Sequence, residues 1–482
     1  MARNLNPDGT PVTLEGVTLS TPGLSGQVEV LAAGSPGLRV REGSADGFAE
    51  AVASAGFLEQ LTVEISGHTE LAPVAGSRSG GGPEITLSIP SPGHSFAQVL
   101  LYTAEDGSQS WHLPIEPPGT NVQNLTYSIP REIVPPPTGA ASAYRGLVWA
   151  IGRKMLKVLA FPLLERGTAV VAERLASRWE AGHRPYLLRS FTPDDYTQAD
   201  ARGLDTQDWA HFAQGPALLF LHGTFSRSDL AFRDLPPAQF QELHNLYAGR
   251  VFAFDHPTLS VDPAANVREL LTRLPEGLAL TVDVVAHSRG GLVGRELAAQ
   301  PESQLVVRRL VMVGTPNAGT ILADSGHWGG LVDRMTNLLQ FVPGNPVTDV
   351  LDAVLTVLKH LALGAVQGLD GLTAMDPSGD YLKKLRLGTP ERTVPVLHAV
   401  ASDYDPPSGS PLSRVSRNGL TDLVFGRDGN DLVVPTLGTY QLDGVPGFPV
   451  PGPLILEKVA GVEHTAYFGH PAVGEHLLTW LR

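Results

Sequence analysis

Residues 281–296 read T-V-D-V-V-A-H-S-R-G-G-L-V-G-R-E: a valine-rich apolar run, a tight corner and a helix-like continuation. An apolar run without alternation fits a strand buried on both faces, and such strands belong to parallel sheets covered by helices. A sharp strand-to-helix corner brings the start of the helix against the strand, so small residues are needed two positions either side of Ser288. Ala286 and Gly290 stand there. This is the local build of a nucleophile elbow. The same small-x-Ser-x-Gly pattern recurs around Ser35, but L-R-V-R-E-G follows it with no helical pattern, and it reads as a turn.

The chain around the corner repeats its rhythm. Candidate strands at 217–221, 250–254, 280–286, 305–313, 394–400 and 454–459 are mostly separated by helical patterns, including 237–247, 263–274 and 291–300. Buried strands alternating with helices predict an α/β domain over 206–482, with a mostly parallel, doubly covered sheet. Such a sheet carries its site at the carboxyl ends of its strands. A stretch at 322–392 breaks the alternation with amphipathic helices at 331–342 and 349–363. It reads as a lid-like insertion or channel wall, or else as extra core helices. In the lid reading Leu331, Met335 and Leu338, with Phe225 from the loop after the first strand, line a substrate pocket.

Before this domain the pattern is different. Short runs at 27–31, 61–66, 84–89 and 97–103, and a hairpin turn at 104–108 into 109–113, predict a small β-sandwich-like domain over 1–120, interrupted by a helix at 47–59. Pro117-Pro118 and Pro135-Pro136-Pro137 cannot donate to a ladder. Residues 121–205 are therefore assigned to a proline-rich linker and amphipathic helices, two of them between 144 and 179. The first mixes Arg153, Lys154 and Lys157 with apolar residues, so it either lies on a membrane or lipid surface or caps the adjoining domain.

Composition narrows the partners. The formal charge is −14 and no Lys/Arg run tracks a phosphate backbone, which argues against nucleic acid. With no cysteine, the chain has no disulfide, thiolate metal site or cysteine nucleophile. The start M-A-R-N-L-N-P-D-G-T lacks the apolar core of a secretory signal, and no run approaches the roughly 20 apolar residues of a membrane span. The expectation is a soluble, by default cytoplasmic protein, with a mature secreted chain as the alternative. Nothing in the sequence bears on oligomeric state.

If Ser288 is a nucleophile, it needs partners. The loop L-H-G-T-F-S after the strand at 217–221 offers the Thr224 N–H, and the corner itself the Arg289 N–H, as donors to a developing oxyanion. An acid is expected after the strand at 394–400. Asp431, followed at once by L-V-V-P, can be fixed by its own backbone neighbours, while Asp403 and Asp405 lie nearer the strand end. A histidine is expected after the last strand: His464 stands there, and His470, just before Pro471, opens the terminal helix. His222, His287 and Asp283 read as structural, and the Asp255-His256-Pro257 corner either lines the pocket or simply ends its strand; none is given a catalytic role. Asp403, Asp422 and Asp428 lack the fixed spacing of a calcium loop, so no metal is assigned.

In the order Ser288, Asp431, His464, these residues resemble the α/β-hydrolase superfamily, and within it bacterial lipases and esterases, over about 217–481. A-H-S-R-G is similar to their alanine-containing elbow and L-H-G-T to their oxyanion loop; V-G-T-P-N-A-G-T (313–320) and G-L-T-A-M-D-P-S-G-D-Y-L-K-K-L (371–385) are similar to later lipase segments. The resemblance implies hydrolysis of small-molecule, lipid or polymer esters through an acyl-enzyme, with no cofactor. Arg289 stands where methionine or glutamine is common in the family, which predicts a narrowed acyl pocket or a contact to an anionic group. Acyl transfer, thioester or amide hydrolysis would use the same residues, and a binding protein on a hydrolase scaffold is the reading from another class.

Overall fold

The computed structural model describes residues 2–32, 45–70, 84–116, 122–130, 153–163, 168–300, 304–340, 347–364, 367–387, 394–407 and 429–482. The turn predicted at Ser35, the Pro135–Pro137 linker, Asp422 and Asp428 lie outside them. The chain divides into two compact units: Met1–Ala172 with Val332–Val366 and Pro406–Thr421, and Glu173–Leu331 with Gln367–Asp405 and Asp422–Arg482.

In the first unit, β1 (Arg3–Asn4), β4 (Leu24–Ala32), β5 (Leu58–Glu70), β10 (Arg153–Pro162), β7 (Phe96–Thr103) and β8 (Gln109–His112) form an antiparallel sheet in that order. A second sheet runs β2 (Val12–Leu14), β3 (Val17–Ser20), β6 (Glu84–Pro90), β9 (Asn124–Pro130). Val63, Leu156 and Val158 of the first sheet and Ile85, Leu87 and Tyr127 of the second lie in one apolar cluster. The unit is therefore a β-sandwich, and a helix, Ala45–Ser54, interrupts it.

Two expectations for this part of the chain are corrected. The segment read as the first helix between 144 and 179 contains β10, which lies between β5 and β7, and β9 also falls beyond the boundary drawn at 120. Lys154 and Lys157 are spaced like one face of a helix, yet Lys154 is buried, its ammonium 2.6 Å from Glu105 and 3.5 Å from Glu70. An inward lysine satisfied from elsewhere hides a two-residue period. Second, the unit boundary falls inside the helix Trp328–Gln340, and Val347–Ala362 belongs wholly to the first unit. There Asp333 accepts the Trp111 N–H at 2.7 Å, Asn337 accepts that of Gln109 at 2.9 Å, and Lys359 stands over the rings of Phe57 and Phe161.

The second unit is built on a seven-stranded sheet: β11 (Leu187–Ser190), β13 (Val251–Asp255), β12 (Ala217–Leu221), β14 (Leu280–His287), β15 (Leu305–Val313), β16 (Val396–Ser402), β17 (Leu454–Leu456). All neighbours are parallel except the edge strand β11, which is too short to show a period in sequence. Both faces are covered. Leu219, Leu221 and Val284 pack with the helices Thr206–Phe212, Pro263–Thr272 and Gly290–Ala298, whereas Leu218, Phe220 and Val285 pack with Pro237–Leu246 and Pro471–Leu481. Strand order reverses at β12, with β13 on one side and β14 on the other. Loops leaving the carboxyl ends of strands either side of such a reversal part and leave a crevice. Sheet order, helical covering and the corner after β14 give this unit the α/β-hydrolase fold. No helix among the described residues is long and apolar enough to cross a membrane.

Candidate active site

Ser288 sits at the corner between β14 and the helix Gly290–Ala298 with φ +52°, a region that costs a non-glycine residue on the order of 1–3 kcal/mol. Hydrogen bonds hold it there: its N–H donates to Val313 O at 2.8 Å, and its carbonyl accepts the Gly291 N–H at 2.9 Å. The helix starts so close to β12 that a side chain at Gly290 would overlap the carbonyl oxygens of Leu221 and His222.

His464 follows β17 and a short helical turn, Lys458–Ala460. Its Nε2 lies 2.9 Å from Ser288 Oγ and its Nδ1 lies 2.8 Å from Asp431 Oδ2. Asp431 is fixed by its own neighbours, because Oδ1 accepts the N–H groups of Val433 at 3.0 Å and Val434 at 2.7 Å. Its carbonyl also accepts the His464 N–H at 3.1 Å. Asp403 instead faces Lys458, 4.0 Å away, and Asp405 is exposed. The carboxylate that meets His464 is Asp431.

Burial alone would raise the Asp431 carboxyl, but His464 and the two valine amides outweigh it and hold the group below its ordinary range. Burial likewise opposes charge on His464, yet Asp431 and then Glu463 outweigh it and raise the imidazole. His287 is pushed down to about 3 by burial and by His464; neutral, it sets Nε2 3.0 Å from the His464 carbonyl. It supports the loop and does not touch Ser288 Oγ.

The loop after β12 passes directly beside the serine, since a Cβ on Gly223 would stand 2.6 Å from Ser288 Cβ. His222 Nε2 accepts the His256 N–H at 3.1 Å, so its Nδ1 carries the proton donated to Gly223 O at 3.0 Å; burial keeps this ring neutral, at about 4. Phe225, buried at φ +61°, gives its N–H to Thr258 Oγ1 at 3.3 Å. Glu180 in turn accepts the N–H groups of Thr258, Leu259 and Ser260 at 2.5, 2.7 and 2.9 Å. Glu180 and Thr258 carry no sequence signal, because what they hold is distant backbone. Among the described residues the N–H groups of Thr224 and Arg289 meet no protein acceptor. Of the residues assigned to a pocket, Phe225 and Leu331 share the unit of Ser288, whereas Met335 and Leu338 are buried residues of the first unit.

The Arg289 side chain corrects an expectation. Its guanidinium is fully buried and bonds the Gly371 carbonyl at 3.0 Å, Asn266 Oδ1 at 2.9 Å and the Val261 carbonyl. It ties a loop and two helices, Pro263–Thr272 and Asp370–Thr373, together behind the elbow. Burial lowers it below the ordinary arginine range, with Tyr381, Glu180 and Asp262 partly compensating. Arg289→Lys keeps the charge and loses the fork, so a stability loss of about 2 kcal/mol or more is expected in urea unfolding. Unchanged stability with a raised KM for anionic esters only would return the side chain to the substrate.

A family model described as "Domain of unknown function (DUF7379)" matches residues 183–482. No curated protein matches the chain. Among solved structures, the mature lipase BlEst2 of Bacillus licheniformis is similar over 55% of this chain and 92% of its own, at 19% identity and a TM-score of 0.34. Lipase 1 of Pelosinus fermentans matches over 55% of this chain and 97% of its own, at 13% identity and a TM-score of 0.38. A putative α/β hydrolase family protein of Desulfitobacterium hafniense matches over 56% and 97%, at 15% identity and a TM-score of 0.32.

Proposed function

The chain belongs to the DUF7379 family, and we propose that this member is a serine hydrolase that cleaves carboxylic esters through an acyl-enzyme. The observation that carries the reading is the unbroken hydrogen-bond line from Ser288 Oγ through His464 to Asp431 at a strained strand-to-helix corner. In this reading His464 Nε2 takes the hydroxyl proton as Oγ attacks the ester carbonyl. The N–H groups of Thr224 and Arg289 receive the oxyanion. The C–O bond then breaks, the alcohol leaves with the proton from His464, and water repeats the sequence to release the acid. Asp431, held ionised, keeps Nδ1 protonated and Nε2 free to accept.

Two measurements test this together. A fluorophosphonate should add once per chain, on the peptide that contains Ser288, and p-nitrophenyl esters of graded acyl length should be turned over. Absence of both label and turnover at every length would sink the proposal; turnover of a thioester or amide series with esters inert would move it to a different leaving group.

A further inference from the structure

Asp431 Oδ2 has a second donor. The Tyr467 hydroxyl, buried on the 3-10 turn Tyr467–Gly469 just past His464, lies 2.8 Å from the same oxygen that His464 Nδ1 approaches at 2.8 Å. We propose that Tyr467 is a positioning residue that shares Asp431 Oδ2 with His464 and thereby limits the basicity of the imidazole. The proposal rests on the hydrolase reading for its catalytic meaning, though not for its geometry.

The chemistry has a definite sign. A carboxylate oxygen that receives a phenol proton carries less free charge, so it stabilises the neighbouring imidazolium less. The phenol itself stays protonated, since burial and then Asp431 raise it well above its ordinary value. It therefore donates across the whole working range. The aromatic ring also fixes the angle of approach: it stands edge-on to His464, with ring centres 6.4 Å apart, and to His287 at 6.3 Å. Other groups facing His464 are Glu463 in its own loop and His287 from β14. His287 is neutral and titrates far below the relevant window. Glu463 is raised by burial and held by Thr465, whose N–H and hydroxyl it accepts at 2.7 and 2.8 Å, so its charge has to be controlled for.

The experiment compares wild type, Tyr467→Phe and a 3-fluorotyrosine-467 protein, each also with Glu463→Gln. Two readouts are followed: the acid limb of kcat/KM for a p-nitrophenyl ester, and the titration of His464 by imidazole NMR. Loss of the hydroxyl should move both upward by about one pH unit, and the stronger fluorinated donor should move both downward by a few tenths. A limb and a titration that stay at the wild-type position in both variants would overturn the proposal, whatever happens to kcat. Should no ester be turned over by any form, the hydrolase reading fails while the NMR titration still decides the role of Tyr467.

Discussion

Ser288→Ala should lower kcat for p-nitrophenyl ester hydrolysis by about a millionfold, leaving only the residual rate of a site that binds the ester and its oxyanion. The size follows from what the hydroxyl does. In the proposed reaction it is the atom that forms the acyl bond, and its proton is the one that His464 Nε2, 2.9 Å away, takes. The strained corner remains, because Val313 O and the Gly291 N–H engage the backbone of residue 288 and not its side chain. The variant should therefore unfold near the wild-type urea midpoint, and its loss is one of chemistry. Activity within tenfold of wild type, at matched folding, would remove Ser288 from the reaction.

The sequence made the sheet and the corner legible because their causes are local. Valines on β14 and the small residues flanking Ser288 state a buried strand followed by a close helix, and the D-L-V-V-P run states a carboxylate gripped by the next amides. His464 was legible by position, after the final strand. What stayed hidden depends on partners distant in the chain. Lys154 reads as a solvated charge until Glu70 and Glu105 are placed around it, and only then does β10 become a strand. Arg289 reads as a residue facing substrate until the carbonyls of Val261 and Gly371 and the amide of Asn266 are seen to take its fork. The helix Val347–Ala362 announces an apolar face but not which body owns it, and Ser54, whose hydroxyl donates to Asp352 at 3.0 Å, lies almost three hundred residues earlier. Tyr467 was in plain view, about one helical turn of sequence short of the terminal helix, but a tyrosine near a histidine carries no signal until the carboxylate is located.

Asp431→Asn should cost about ten-thousandfold in kcat, whereas Asp403→Asn and Asp405→Asn should stay within about twofold of wild type. The argument is one of donors. Asp431 accepts from Val433 and Val434 on Oδ1 and from His464 and Tyr467 on Oδ2, so the native group needs four donors and no proton of its own. An asparagine with its oxygen toward the two valine amides turns its NH2 to His464. That NH2 donates to Nδ1 and drives the imidazole into the tautomer that carries its proton on Nε2, where it can no longer accept from Ser288. The opposite flip sets the NH2 against two N–H groups in a buried site, with no acceptor for it there. The first orientation disables the base without disturbing the fold; the second keeps the native tautomer but destabilises the buried site, so the first is the one the variant is expected to adopt. The measurement is kcat at saturating ester together with the urea midpoint of each variant. A loss of similar size in Asp403→Asn or Asp405→Asn, with Asp431→Asn active, would give the acid to another residue.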